Sequence, residues 1–142
     1  MTRSKTALKE RLNYLIANDR DHAWGLTVNT IGFQTSTADS VYPPKGHPSS
    51  YWFNPLKGRI LHEFQIIVVV SGEGVFESEC VSRTQVKAGH VIMLFPGEWH
   101  TFQPVKSKGW QVYWLGFNGG QAENLVENEF FSREEALFEI GL

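Results

Sequence analysis

The sequence predicts a mainly β domain, a sandwich or barrel of short strands with helices confined to its two ends. Glycine and aromatic residues are abundant, with 13 Gly, 10 Phe, 5 Trp and 4 Tyr, a mixture suited to pleated surfaces and tight turns. Apolar runs are short, and Gly, Pro or polar residues bound them at close intervals. Helical spacing shows only towards the two ends of the chain.

From Lys5 to Ala17, the residues Leu8, Leu12, Leu15 and Ile16 recur at helical spacing between charged positions and predict one short amphipathic helix. Trp24 to Gln34 reads as strand. Ser40 to Pro48 is a proline-heavy loop, since proline can neither donate to a central ladder nor continue a helix. Arg59 to Val70 carries the strongest strand pattern, and Gly72-Glu73-Gly74 is expected to be a tight turn that reverses the chain. Further strands are expected at Val75–Val81, Thr84–Val86, His90–Phe95 and Trp110–Phe117. Beyond Gly119-Gly120, Ala122 to Phe131 predicts a short acidic helix, and Ser132-Arg-Glu-Glu135 has the form of a capping box. These elements divide the chain into an N-terminal helix or arm (1–22), a β-barrel (23–118) and a C-terminal helical segment (119–142). That last segment breaks off without a closing polar stretch, which predicts that the natural chain continues.

Composition narrows the function classes. The 142 residues suit a single domain, and 42% hydrophobic against 20% charged residues supports a packed core. A net charge of −2 lacks the basic footprint of a nucleic-acid binder. Ile66 to Val70 is the longest aliphatic run, far below the ~20 residues of a membrane helix, and the start has no signal-peptide pattern. The lone Cys80 excludes an internal disulfide and fits a reducing compartment. The expectation is a cytoplasmic protein without membrane contact.

On the strand Arg59 to Val70, Arg59, Leu61, Glu63, Gln65, Ile67 and Val69 share one face, and Ile60, His62, Phe64, Ile66, Val68 and Val70 share the other. Either the first face lines a barrel with a polar mouth and an aliphatic far end, or it meets solvent and the second face alone is core. Alternation leaves both open. Arg59 and Glu63 could also simply pair with each other.

Gly89, Gly97 and His100, spaced eight and three residues apart, match the second sequence motif of the cupin superfamily, with Pro96 displaced by one position. Together with Tyr42-Pro-Pro-Lys-Gly-His-Pro, Gly58-Arg-Ile-Leu-His-Glu-Phe-Gln65 and Gly109-Trp-Gln-Val-Tyr-Trp-Leu-Gly-Phe-Asn118, the segment Leu94-Phe-Pro-Gly-Glu-Trp-His100 resembles the N-terminal effector domain of AraC-type transcription regulators. That resemblance spans about Trp24 to Leu142. It implies a cupin (double-stranded β-helix, jelly-roll) barrel that binds a small effector, often a sugar. It further implies a homodimer, and contact with DNA only through a C-terminal domain that this chain lacks.

In metal-binding cupins the first motif supplies three ligands, and those positions fall here on Arg59, Leu61 and Gln65, leaving His100 as the surviving ligand type. A guanidinium and an aliphatic side chain cannot ligate a divalent ion. The domain is therefore expected to need no metal or other cofactor and not to be an enzyme. The rival reading is a cupin enzyme acting on a sugar or related metabolite, with His100 and Glu63 as an acid–base pair.

The resemblance places Trp114 where the family stacks an indole on its sugar. Val112 and Phe102 stand where the family has sugar-contacting His and Tyr. The expected ligand-binding set is Arg59, Glu63, Gln65, His100 and Trp114, because a guanidinium and carboxylate bind vicinal hydroxyls and an indole covers a sugar's C–H face. Each also admits a plainer role: Trp114 as core, His100 as a hydrogen-bonded loop residue. Trp110 would be core or interface, and the third alternative is a barrel filled by its aromatic side chains, serving only to dimerise.

Overall fold

The computed structural model describes residues 10–39 and 54–141. Among these residues nine strands form two hydrogen-bonded layers. The first layer has the order β1 (Glu10–Tyr14), β2 (Thr27–Thr37), β8 (Gly109–Asn118), β4 (Phe64–Ser78), β6 (His90–Leu94) and β9 (Leu137–Glu139). In the second layer, β7 (Trp99–Pro104) pairs with β3 (Arg59–Ile60) and with the far half of β4, whose other edge pairs with β5 (Thr84–Lys87). All pairings are antiparallel. The layers enclose an aliphatic and aromatic core of Ile67, Val69, Phe76, Val86, Ile92, Leu94, Phe102, Trp110 and Val112, each at most 8% exposed. The mainly β expectation holds, with short helices α1 (Asp19–Trp24) and α2 (Gly120–Glu127) flanking the strands.

The 15-residue β4 is where the sequence expectation and the structure part most clearly. Gly72-Glu73-Gly74 does not reverse the chain; β4 runs straight through it and changes layers there. A bulge between Val69 and Ser71 bends the strand. Gly72, at φ +81°, admits the backbone of Gly109 and Trp110, and a Cβ there would stand 2.1 Å from the Gly109 carbonyl oxygen. The two glycines permit close crossing, not a hairpin. Conversely, the strand expected from Arg59 breaks at Leu61–Glu63, where the Leu61 carbonyl accepts from the Gly97 N–H (2.8 Å) and the His62 carbonyl accepts from the Asn118 amide (3.1 Å).

The ends differ as well. Of the expected helix over Lys5–Ala17, residues 5–9 lie outside the described residues, and Glu10–Tyr14 is edge strand β1, in register with β2 from Glu10↔Gln34 to Tyr14↔Thr30. The helix forms instead at Asp19–Trp24. There Asn18 and Asp21 exchange side-chain-to-backbone hydrogen bonds of 3.0 and 2.9 Å as a reciprocal cap, and Gly25 closes the helix in the left-handed region. Ser132 makes no capping bond; Arg133–Glu135 is a single 3-10 turn leading into β9, which pairs with β6. The C-terminal segment thus returns to the sheet instead of ending as helix. The proline-rich loop Ser40–Pro48 lies outside the described residues. No helix among the described residues is long and apolar enough to cross a membrane.

Candidate ligand-binding site

Strand β2 has its polarity inside out. Thr30, Gln34 and Ser36 are buried at 1%, 2% and 7% exposure, whereas Val28 and Ile31 are 37% and 46% exposed. An antiparallel sheet with one solvated face ordinarily buries its apolar residues. Here the polar set faces the space between the layers. Register extends this inward face across the neighbours: Thr30–Gly116–Gln65–Leu94 form one row, Gly32–Trp114–Ile67–Ile92 the next, and Gln34–Val112–Val69 the third. Of the two alternatives for the Arg59–Val69 face, the structure selects the inward one for Glu63 and Gln65, which are 6% and 1% exposed.

Glycines make room for the functional side chains. A Cβ at Gly116 would stand 2.6 Å from both Glu63 carboxylate oxygens and 2.3 Å from Thr30 Oγ1. The carboxylate occupies that niche and accepts from Gln65 Nε2 (3.1 Å), Asn29 Nδ2 (3.1 Å) and, at 3.4 Å, Thr30 Oγ1. Asn29 also donates to Asn118 Oδ1. At Gly32 a Cβ would be 2.4 Å from the Trp114 indole, which therefore lies against bare backbone. Gly74 serves Trp110 in the same way, at 2.3 Å.

A second cluster gathers around β3 and β7. Arg59 stands opposite His100 in the ladder and donates from Nε to His100 Nε2 across 2.9 Å. The guanidinium sits over the Phe102 ring (5.4 Å), His100 stacks parallel to that ring (6.0 Å, 3°), and Phe102 meets Trp110 at 5.9 Å. His100 is 1% exposed; burial first, and the Arg59 charge second, hold its imidazole down to about pKa 3. It is neutral, and the lone pair on Nε2 faces the guanidinium.

The five expected residues thus separate into two groups joined by β8. Glu63 and Gln65 lie together beside Gly116; Arg59 and His100 lie together beside Phe102 and Trp110; Trp114 stands on the inward face of β8 between those ends. Sequence reasoning missed Asn29, Thr30, Gln34 and Asn118. The signal was present in β2, where Thr30, Gly32, Gln34 and Ser36 alternate with Ile31 and Phe33, but the segment registers only as strand when its polar phase is ignored. Trp110, read as core or interface, is core: it is 2% exposed and packs on Gly74 and Phe102. Among the described residues, no group of three or more His, Cys, Asp or Glu is placed to hold a metal ion.

A family model described as the AraC-like ligand binding domain matches residues 56–139. No curated protein sequence matches the chain. Among solved structures, YhaK from Escherichia coli is similar over 94% of this chain at 12% identity with a TM-score of 0.58, and the chain spans about half of that protein (51%). An RmlC-like cupin with a double-stranded β-helix fold from Methanocaldococcus jannaschii is similar over 87% of this chain and 93% of its own, at 10% identity and a TM-score of 0.50. At these identities the structural likeness establishes the cupin fold.

Proposed function

Because the chain belongs to the AraC-like ligand binding domain family, we propose that it is the effector-sensing domain of a transcription regulator, taking a sugar into the space between its two layers without a metal. One observation carries the reading: the inside-out alternation of β2, which turns Thr30, Gln34 and Ser36 inward and leaves Val28 and Ile31 exposed. Burying polar side chains costs free energy unless they are hydrogen-bonded, so a polar lumen is retained where a polar ligand is to be met. Trp114, packed against Gly32 on the same face, supplies a surface for a sugar's C–H side, and Glu63 with Gln65 and Asn29 supplies hydrogen bonds for hydroxyls.

The metal-free reading is supported by the donor set. By the motif resemblance Arg59, Leu61 and Gln65 take the positions of cupin metal ligands, and Nε2 of His100 accepts from the Arg59 guanidinium. The domain is then a sensor and not an enzyme. It works as a cytoplasmic homodimer and reaches DNA through a separate C-terminal domain, as its family membership suggests. Effector binding stabilises one arrangement of the barrel mouth and so biases where that DNA-binding domain sits.

The test is a thermal-shift screen against mono- and disaccharides with and without EDTA. A ligand at about 100 times its Kd adds about 2.7 kcal/mol and raises Tm by several degrees. The expected result is a sugar-dependent rise that EDTA does not alter. Loss of stability in EDTA alone, or turnover of a bound sugar, would overturn the metal-free sensor.

A further inference from the structure

Among the described residues, two buried donors on the inward face of β2 and β8 lack acceptors. Gln34 Nε2 and Trp110 Nε1 have no hydrogen-bond partner, although both residues are only 2% exposed. They are neighbours across the ladder: Ser36, two residues along β2 on the same face as Gln34, is the register partner of Trp110. Trp110 adjoins Phe102, and Phe102 carries the Arg59 guanidinium on its ring face. The acceptor nitrogen of His100 that faces this cluster is already engaged by Arg59. The cluster therefore presents a positive charge and N–H groups. The Glu63 carboxylate lies in the other group, accepting from Gln65, Asn29 and Thr30.

An unmet buried donor costs about 1–3 kcal/mol, and a neutral hydroxyl placed there would bring a hydrogen of its own into a region of donors. An acceptor-only group meets the cluster without that conflict. Resting on the sugar-sensor reading above, we infer that the effector is a sugar acid, its carboxylate received by Arg59, Gln34 and Trp110 and its ring by Trp114. A carboxylate fits better than a phosphate. Among the described residues of this cluster Arg59 is the one cation, and a dianion would leave charge unbalanced in a lumen that already holds Glu63.

Isothermal titration of the purified chain with glucose against glucuronate, galactose against galacturonate, and glucose 6-phosphate tests this directly. The uronate is expected to bind about tenfold or more tightly than its neutral parent, the scale of a hydrogen-bonded charge. Arg59→Gln should remove that preference, bringing the uronate down to the affinity of its neutral parent, and Arg59→Lys should restore part of it, since it keeps the charge but not the fork. Gln34→Met should weaken uronate binding about three- to tenfold. If Arg59→Gln does not fold, Arg59→Lys and Gln34→Met decide the matter. Neutral sugars binding as well as their uronates, or glucose 6-phosphate binding tighter than both, would sink the carboxylate assignment and leave the sugar sensor standing. If no sugar and no uronate binds, the sugar reading falls with it.

Discussion

Arg59 and His100 face each other across the β3–β7 pair with guanidinium Nε donating to imidazole Nε2 at 2.9 Å. A protonated imidazole has only donors and could not accept that bond. Burial and the adjacent charge both favour the neutral ring, and its pKa falls from 6.5 to about 3.

Stability should therefore depend on pH through His100. Between about pH 3 and 6.5 the unfolded chain binds the proton and the folded chain does not, so stability falls as pH falls through that window and the full contribution is present above 6.5. Each pH unit below 6.5 removes up to about 1.4 kcal/mol, so urea unfolding at pH 5 against pH 7.5 should show a loss approaching about 2 kcal/mol. His100→Gln should flatten that part of the profile. An unchanged slope in the variant would assign the acid sensitivity elsewhere.

Gly116→Ala should damage the Glu63 niche. Its methyl would stand 2.6 Å from the carboxylate and 2.3 Å from Thr30 Oγ1, and overpacking of this kind costs about 1–3 kcal/mol. Gly120→Ala, where nothing lies within 4 Å of the added methyl, is the control and should be neutral or slightly stabilising in the α2 helix. Equal denaturation midpoints for the two variants would contradict the niche.

The Gly74–Trp110 pair can be tested by a double-mutant cycle. Gly74→Ala should destabilise by about 1–3 kcal/mol because its Cβ meets the indole at 2.3 Å. Trp110→Phe, which withdraws the indole's six-membered ring, should recover part of that loss in the double variant. The recovery is partial because the carbonyl of Gln103 stands 2.7 Å from the same Cβ. Strict additivity would show that the two residues do not share the space.

Cys80 is exposed, but it should react slowly. Its thiol pKa is raised, chiefly by a hydrogen bond to the Glu98 carboxylate, and burial raises the Glu98 pKa in turn. Since the thiolate is the nucleophile, labelling by a disulfide reagent at pH 7.5 should be slower than for a short unstructured peptide thiol. Glu98→Gln should speed it. A Cys80 as fast as the peptide would remove Glu98 from the account.

Much of this was legible in the sequence because it depends on local signals. Gly89, Gly97 and His100 mark the strand–turn–strand that carries His100 inward, and the alternation through Glu63, Gln65, Ile67 and Val69 identifies the lumen face once its direction is known. The failures are equally local in origin. Gly72 and Gly74 have the form of a hairpin turn, and only their distant neighbours Gly109 and Trp110 reveal that the space is needed for a crossing strand. Leu12 and Leu15 have helical spacing, but pairing with β2 outweighs helix propensity at an edge. The separation of Arg59 from the Glu63 group follows from the break at Leu61–Glu63, which is set by hydrogen bonds to Gly97 and Asn118 far along the chain.

In β2 beyond the bulge at Val28–Thr30, odd and even positions carry two separate messages. Thr30, Gln34 and Ser36 address the lumen, while Ile31 and Phe33 address the exterior. Substitution at alternate letters can retune what the barrel accepts without altering what its outside presents to another molecule. A single-residue insertion or deletion exchanges the two sets at a stroke. Point substitution and frame within the strand thus explore different traits, and divergence in ligand preference among related sequences should accumulate as replacements at every second residue, with the strand's length held constant.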